Sequence, residues 1–145
     1  MRIPPKLNKN DKVAIVATAR KVDLAEIQDG IALFKKWGLQ VVLGKTIGLK
    51  SDQFAGSDQD RLEDLQKQLD DPEIKAIWCA RGGYGTVRLI DALDFTKFRA
   101  QPKWIIGYSD ITVLHSYLNT IGYCSIHAVM PREIHVNSTA SVQSL

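Results

Sequence analysis

The sequence predicts an α/β fold, a mainly parallel sheet covered by helices on both faces. Three observations lead there. Short apolar runs alternate with longer segments of helical period, in the order βαβαβαβαβ. The apolar runs are continuous rather than alternating, as strands buried on both faces are. Right-handed crossovers between such strands turn that order into a parallel sheet. At 145 residues the chain is about one domain of roughly 150 residues, long enough to bury about two-thirds of its unfolded surface.

The first strand is Lys12-Val13-Ala14-Ile15-Val16-Ala17. Asp23 opens a helix, with Glu26 three residues on completing a capping-box pattern. Leu24, Ile27, Ile31 and Phe34 share one stripe, and Gly38 is placed to end the helix in a left-handed conformation. Residues 39–43 form the second strand, and the polar stretch from Gly44 to Gly56 is long enough to expect a functional loop. Ser57 caps the next helix, which carries Leu62, Leu65 and Leu69 and stops at Asp70-Asp71-Pro72. The third strand, 74–79, runs straight into Arg81-Gly82-Gly83-Tyr84-Gly85, and a short helix is expected through Val87, Leu89, Ile90 and Leu93. The fourth strand is 103–107, followed by a helix with Ile111, Leu114, Leu118 and Ile121 on one face, ending at Gly122. Residues 123–130 are the fifth strand, and the segment after Pro131 shows no period and no cap.

Composition removes several function classes. Apolar residues make up 45% and charged residues 24%, which excludes disorder, collagen and coiled coil. The net charge of +3 comes from interspersed signs, without the basic stripe that repeated phosphate contacts need, so no nucleic-acid partner is expected. Cys79 and Cys124 fit neither a metal-ligand spacing nor a disulfide framework and read as reduced, buried thiols; no metal and no cofactor are expected. The polar start MRIPPKLNKNDK lacks the apolar core of a secretory signal, and no apolar run approaches a membrane span. A cytoplasmic setting follows as the expectation.

Ligands of open parallel sheets bind beyond the carboxyl ends of the strands, and two segments stand there. In Arg81-Gly82-Gly83-Tyr84-Gly85 the adjacent glycines allow close backbone approach to a ligand, or simply a tight turn with positive φ. In Gly107-Tyr108-Ser109-Asp110-Ile111-Thr112 a serine sits where a strand gives way to a helix. That placement is the mechanical content of a nucleophile elbow, although Ile111 replaces the final glycine of G-x-S-x-G. The rival reading, that Ser109 or Asp110 caps the helix, is favoured on mechanics alone because caps are common and elbows rare. His115 and His127 read as packed or hydrogen-bonded residues, His135 lies in the tail, and none is a convincing base for Ser109. Cys79 reads as a buried strand thiol, while Tyr84 and Tyr108 are placed to line a pocket.

Taken together, Phe54-Ala55-Gly56-Ser57-Asp58-Gln59-Asp60-Arg61, Asp71-Pro72-Glu73-Ile74-Lys75-Ala76-Ile77, the Arg81–Gly85 run, Pro102-Lys103 and Ile106–Thr112 resemble the muramoyltetrapeptide LD-carboxypeptidases, serine peptidases that include microcin C immunity-type hydrolases. The resemblance runs essentially to Pro131. It implies a three-layer, flavodoxin-like domain akin to class I glutamine amidotransferases, with Ser109 as nucleophile. It implies oxyanion N–H groups from Asp110 and Gly83, and substrate contacts from Arg81, Gly82, Tyr84 and Tyr108. The implied reaction releases the terminal D-alanine of murein tetrapeptides in cell-wall recycling. The glutamate and histidine of the triad are implied to come from a C-terminal domain. Residues 1–131 are accordingly expected as the nucleophile-bearing domain and 132–145 as the start of a linker, with little turnover from the 145 residues alone. The sequence departs from the family pattern in Ala17-Thr18-Ala19-Arg20, where a Pro-containing turn is usual, and in His127-Ala128-Val129-Met130-Pro131, where a His-Gly-Pro-like turn is usual. Other readings are a carboxylate- or phosphate-binding domain without catalysis, an acyl-adenylate hydrolase of the immunity type, and a homodimer formed through an exposed apolar face.

Overall fold

A computed structural model describes residues 1–145. Five strands form one sheet: β1 (Lys12–Val16), β2 (Gln40–Leu43), β3 (Ile74–Cys79), β4 (Trp104–Gly107) and β5 (Ile126–His127). Their order is β2-β1-β3-β4-β5 and every pairing is parallel. This is the flavodoxin-like order, in which chain direction across the sheet reverses between β1 and β3 and opens a crevice at their carboxyl ends.

The strands bury both faces because successive side chains point to opposite sides. Val13, Ile15, Ala76 and Trp78 join Ile31 and Phe34 of α1 (Gln28–Lys36) in one cluster. Ala14, Val16, Ile77, Cys79 and Ile105 join residues of three helices on the other face: α2 (Asp58–Asp70), α3 (Thr96–Ala100) and α4 (Thr112–Thr120). Trp78 stacks on Phe34 with ring centroids 4.0 Å apart and donates its indole N–H to the Val129 carbonyl at 2.9 Å.

Local chemistry sets the helix ends. Ser57 Oγ accepts the Asp60 N–H at 3.1 Å while the Asp60 carboxylate accepts the Ser57 N–H at 2.9 Å, a complete capping box. At Asp23 the Glu26 carboxylate accepts the backbone N–H at 2.9 Å, but the first turn, 24–27, winds as a 3-10 helix before α1 begins. Gly38 takes φ +81° and ends α1 as expected.

The structure departs from the sequence reading in three places. The helix expected through residues 87–93 is two 3-10 turns, Thr86–Arg88 and Ile90–Ala92, and the regular turn is α3, seeded where the Asp94 carboxylate accepts the Thr96 N–H at 2.8 Å. The fifth strand is two residues long, because the Tyr123–Cys124 segment bonds to Arg2 of the N-terminal arm instead of extending β5. Residues 132–145, expected as an uncapped start of a linker, begin within a 3-10 turn, Pro131–Glu133, and end in α5 (Thr139–Gln143), where Ser138 Oγ accepts the Ser141 N–H at 3.2 Å. That turn lies on α1 at Gly30, where an added Cβ would stand 2.7 Å from Pro131 Cα. A mid-helix glycine costs roughly 0.5–1 kcal/mol relative to alanine, and the close approach of Pro131 accounts for it. No helix is long and apolar enough to cross a membrane.

Candidate active site

The loops that leave β1, β3 and β4 meet at the carboxyl edge of the sheet, and Ser109 stands on the last of them. Tyr108 is extended, at φ −152° and ψ −173°, and Ser109 then turns the chain at φ +60°. A side chain in that left-handed region costs about 1–2 kcal/mol, and here it leaves the residue exposed ahead of α4. The turn is tight: a Cβ on Gly107 would come within 2.9 Å of Ile111 Cγ1.

Neither Ser109 nor Asp110 caps α4, whose N-cap position is Ile111 with no side-chain hydrogen bond. The capping alternative therefore has no counterpart in the structure. Asp110 instead reaches sideways, and its Oδ2 accepts the Thr86 N–H at 2.9 Å. The elbow is thereby tied to the turn that follows β3.

That turn supplies the surface facing the serine. At Gly82 an added Cβ would lie 3.3 Å from Ser109 Cβ and 3.4 Å from Oγ, so the glycine backbone is packed against the hydroxyl. Gly83, at φ +115°, faces the other way, and its missing Cβ would stand 2.6 Å from Arg20 Cγ. Arg81 donates from Nη1 to the Lys21 carbonyl at 2.8 Å. Burial, then the neighbouring Arg132 charge, lowers its pKa from the usual guanidinium value. Tyr84 is exposed and tilts against Phe54 at 6.3 Å between centroids. Tyr108 lies beside Glu133, whose carboxylate, as hydrogen-bond acceptor, pushes the phenol up to about 12, with burial adding to the rise. Of the expected site residues, Ser109 and Gly82 are in contact, Gly83 adjoins them through the chain, and Tyr84 stands apart against Phe54.

Two arginines were not singled out as site residues in the sequence. Arg61 on α2 is fully buried and donates from Nη1 to the carbonyls of Thr18, at 2.8 Å, and Gly85, at 3.1 Å, with Nη2 paired to Asp58. It bolts the loop after β1 to the loop after β3, and Thr18 Oγ1 and Thr86 Oγ1 join the same two loops at 2.8 Å. The sequence hint was its place in the Phe54–Arg61 run, which carries no signal of burial. Arg20 was named only as a departure from the family turn, and its position depends on the pairing of β1 with β3.

The other candidates are committed elsewhere. His115 has Nδ1 2.7 Å from Ser125 Oγ and Nε2 2.9 Å from the Gly107 carbonyl, and burial lowers its pKa. His127 is exposed at the end of β5, its ring 5.9 Å from that of Tyr108. His135 lies 4.0 Å from Asp29. Burial pushes the Cys79 thiol up to about 12, which leaves it inert as a nucleophile. No group of three or more His, Cys, Asp or Glu side chains is arranged to hold a metal ion. What the arrangement can do is present one exposed hydroxyl to an acyl carbon beside a glycine backbone.

Comparison with known proteins gives a consistent set of similarities. The family described as the LD-carboxypeptidase N-terminal domain matches residues 13–128. A "probable murein peptide carboxypeptidase" of Bacillus subtilis (strain 168) is 39% identical over 128 residues, covering 88% of this chain and 40% of that protein. The murein tetrapeptide carboxypeptidase of Pseudomonas aeruginosa is 35% identical over 117 residues, covering 80% of this chain and 38% of that protein. Among solved structures, the muramoyltetrapeptide carboxypeptidase from Oxalobacter formigenes superposes with a TM-score of 0.80 at 27% identity, over 91% of this chain and 45% of that one. The microcin C7 self-immunity protein MccF, in complex with aspartyl sulfamoyl adenosine, superposes at 0.85 over 94% of this chain and 42% of that one; at 21% identity it shares the fold. The chain spans about 40% of the length of the curated relatives it matches.

Proposed function

The chain belongs to the LD-carboxypeptidase family through its N-terminal domain, and from that premise we propose that it bears the nucleophile, Ser109, of a serine carboxypeptidase that releases the terminal D-alanine of murein tetrapeptides during cell-wall recycling in the cytoplasm. The observation that carries the proposal is the backbone of Ser109. A residue held at φ +60° needs a reason, and strain of this kind collects at sites where a side chain must be presented rather than packed. A binding domain in which Ser109 merely capped its helix would need none of it.

The reaction divides into two steps. Ser109 Oγ attacks the carbonyl carbon of the L-configured residue while a base takes the hydroxyl proton. The oxyanion is met by the N–H of Asp110, at the start of the helical turn, and by the N–H of Gly83, whose peptide leaves the Gly82 Cα that faces the serine. Each such donor is worth about 3–4 kcal/mol in transition-state stabilisation. The D-alanine nitrogen leaves with the proton from the base, and water then releases the acyl group from Oγ. Arg81, Gly82, Tyr84 and Tyr108 bind along this rim in the proposal. As family membership implies, we assign the base and its orienting carboxylate to a C-terminal domain joined through 132–145.

The test is complementation. The C-terminal domain of a relative is supplied in trans and D-alanine release from a murein tetrapeptide is measured. Release that Ser109→Ala abolishes supports the proposal, the loss being several orders of magnitude when a triad member is removed. No release, or release indifferent to Ser109→Ala, overturns it.

A further inference from the structure

We infer that Arg20 is the subsite for the free carboxylate of the substrate's C-terminal residue. The inference rests on the carboxypeptidase reading of Ser109 and names the group that separates such a substrate from an internal peptide bond.

The diglycine carries the geometry. Gly82 packs against Ser109 on one side and Gly83 against Arg20 on the other. Consecutive Cα atoms are about 3.8 Å apart, and a terminal carboxylate lies one residue, roughly 3.5 Å, beyond the carbonyl that a serine attacks. Ser109 and Arg20 thus border adjacent residues of one bend. Arg20 follows the carboxyl end of β1 and the diglycine that of β3, the pair between which the sheet order reverses and where ligands of this fold bind.

Arg20 is free to take an anion where its neighbours are not. Arg61 is spent on the Thr18 and Gly85 carbonyls, Arg88 on Asp58 and Arg132 on Glu26, while Arg81 gives one N–H to the Lys21 carbonyl. The exposed Arg20 side chain makes no ion pair or hydrogen bond within the chain. The nearby acids do not neutralise it: Glu26 accepts from Arg132 and the Asp23 N–H, and Glu133 faces Tyr108.

Its approach is also pre-set. The Ala19 carbonyl accepts the Ala55 N–H and the Gln53 carbonyl accepts the Lys21 N–H, both at 3.0 Å, so the backbone on either side of Arg20 is pinned to the long loop after β2. The stem runs along Gly83, whose missing Cβ would lie 2.6 Å from Cγ, 2.7 Å from Cδ and 3.1 Å from Nε. Only glycine at 83 leaves room for it. A planar guanidinium held this way can take a carboxylate by two parallel hydrogen bonds, with less rotamer freedom left to lose on binding.

The experiment uses the whole chain carrying Ser109→Ala, so that no turnover intervenes. Nα-acetyl-L-lysyl-D-alanine and its C-terminal amide are titrated separately by heteronuclear NMR. The acid is expected to bind about tenfold tighter than the amide, the size of one charge-assisted pair. Arg20→Gln brings that ratio to about one, and Arg20→Lys, which keeps the charge without the fork, retains part of it. An acid-over-amide ratio that survives Arg20→Gln, or no preference before the substitution, overturns the inference. The reading of Ser109 fails separately. D-alanine release that needs Ser109 but shows the same KM in Arg20→Gln removes the subsite and leaves the carboxypeptidase, whereas a ratio that collapses beside an inert Ser109 keeps the subsite and removes the carboxypeptidase.

Discussion

The Asp110 carboxylate accepts the backbone N–H of Thr86 at 2.9 Å, so the residue after Ser109 joins the β4 elbow to the turn after β3. A hydrogen bond to a charged group contributes about 1.5–3 kcal/mol. Asp110→Ala is expected to lower stability by about that amount, read as a fall in the urea midpoint at unchanged slope. Asp110→Asn, which keeps an acceptor oxygen, loses less. Equal losses in the two variants would show that the contact is not a hydrogen bond of consequence.

Ser109 holds a left-handed backbone, and relieving that strain should be visible. Ser109→Gly removes the Cβ penalty of φ +60° at some cost in unfolded-state entropy, so the variant is expected to gain about 0.5–1 kcal/mol. Thermal unfolding measures it, alongside loss of D-alanine release in the complemented enzyme. A destabilised glycine variant would contradict the left-handed turn.

The two glycines of the bend should separate stability from chemistry. Gly82→Ala places a Cβ 3.3 Å from Ser109 Cβ without a backbone conflict, so it leaves the fold nearly as stable while crowding the hydroxyl and cutting activity. Gly83→Ala meets both φ +115° and Arg20 Cγ at 2.6 Å, and is expected to cost about 1–3 kcal/mol of stability. Differential scanning calorimetry of both variants, paired with the release assay, checks the split.

Arg61 is a buried cation whose removal strands the Thr18 and Gly85 carbonyls and leaves Asp58 with Arg88 alone. Arg61→Ala is expected to cost about 3 kcal/mol or more, the usual consequence of breaking a buried charged contact. Urea unfolding reads the loss, and an effect below about 1 kcal/mol would mean that the two loops are held together by other contacts.

Lys103 gives a pH signature. Burial lowers its pKa from 10.5 to about 8, while Nζ donates to the Gln68 carbonyl at 2.9 Å. Between about pH 8 and 10.5 the unfolded chain therefore binds the proton that the folded chain has released. Stability rises with pH wherever the unfolded state holds more protons, so this residue contributes a rise through that window. Denaturant midpoints measured from pH 7.5 to 10.5 should show the rise, and Lys103→Met should flatten it.

Much of this was legible along the chain. The β1 run, the Ser57 cap and the Gly38 stop are determined by residues within a few positions of one another, and periodicity and cap chemistry report such relationships directly; the elbow at Ser109 was legible only through the family resemblance, because local mechanics favoured a cap there. What the chain order could not report is equally specific. The expected helix over 87–93 became 3-10 turns, with Asp94 bonded through its backbone N–H and carbonyl to Gln66 on α2. The fifth strand was shortened by pairing with Arg2. The Asp110 carboxylate, one of the two caps weighed for α4, turned to the Thr86 N–H instead.

The sequence by itself determined the first four strands and the helix ends at Ser57 and Gly38, because each depends on neighbours in the chain. Only the tertiary structure decided that Arg61 is buried between two loops, that Gly82 faces Ser109 and that Arg20 lies along Gly83. Those contacts exist because parallel pairing sets β1 beside β3 and β3 beside β4, bringing together the loops at their carboxyl ends, and pairing between distant segments leaves no local pattern in either one.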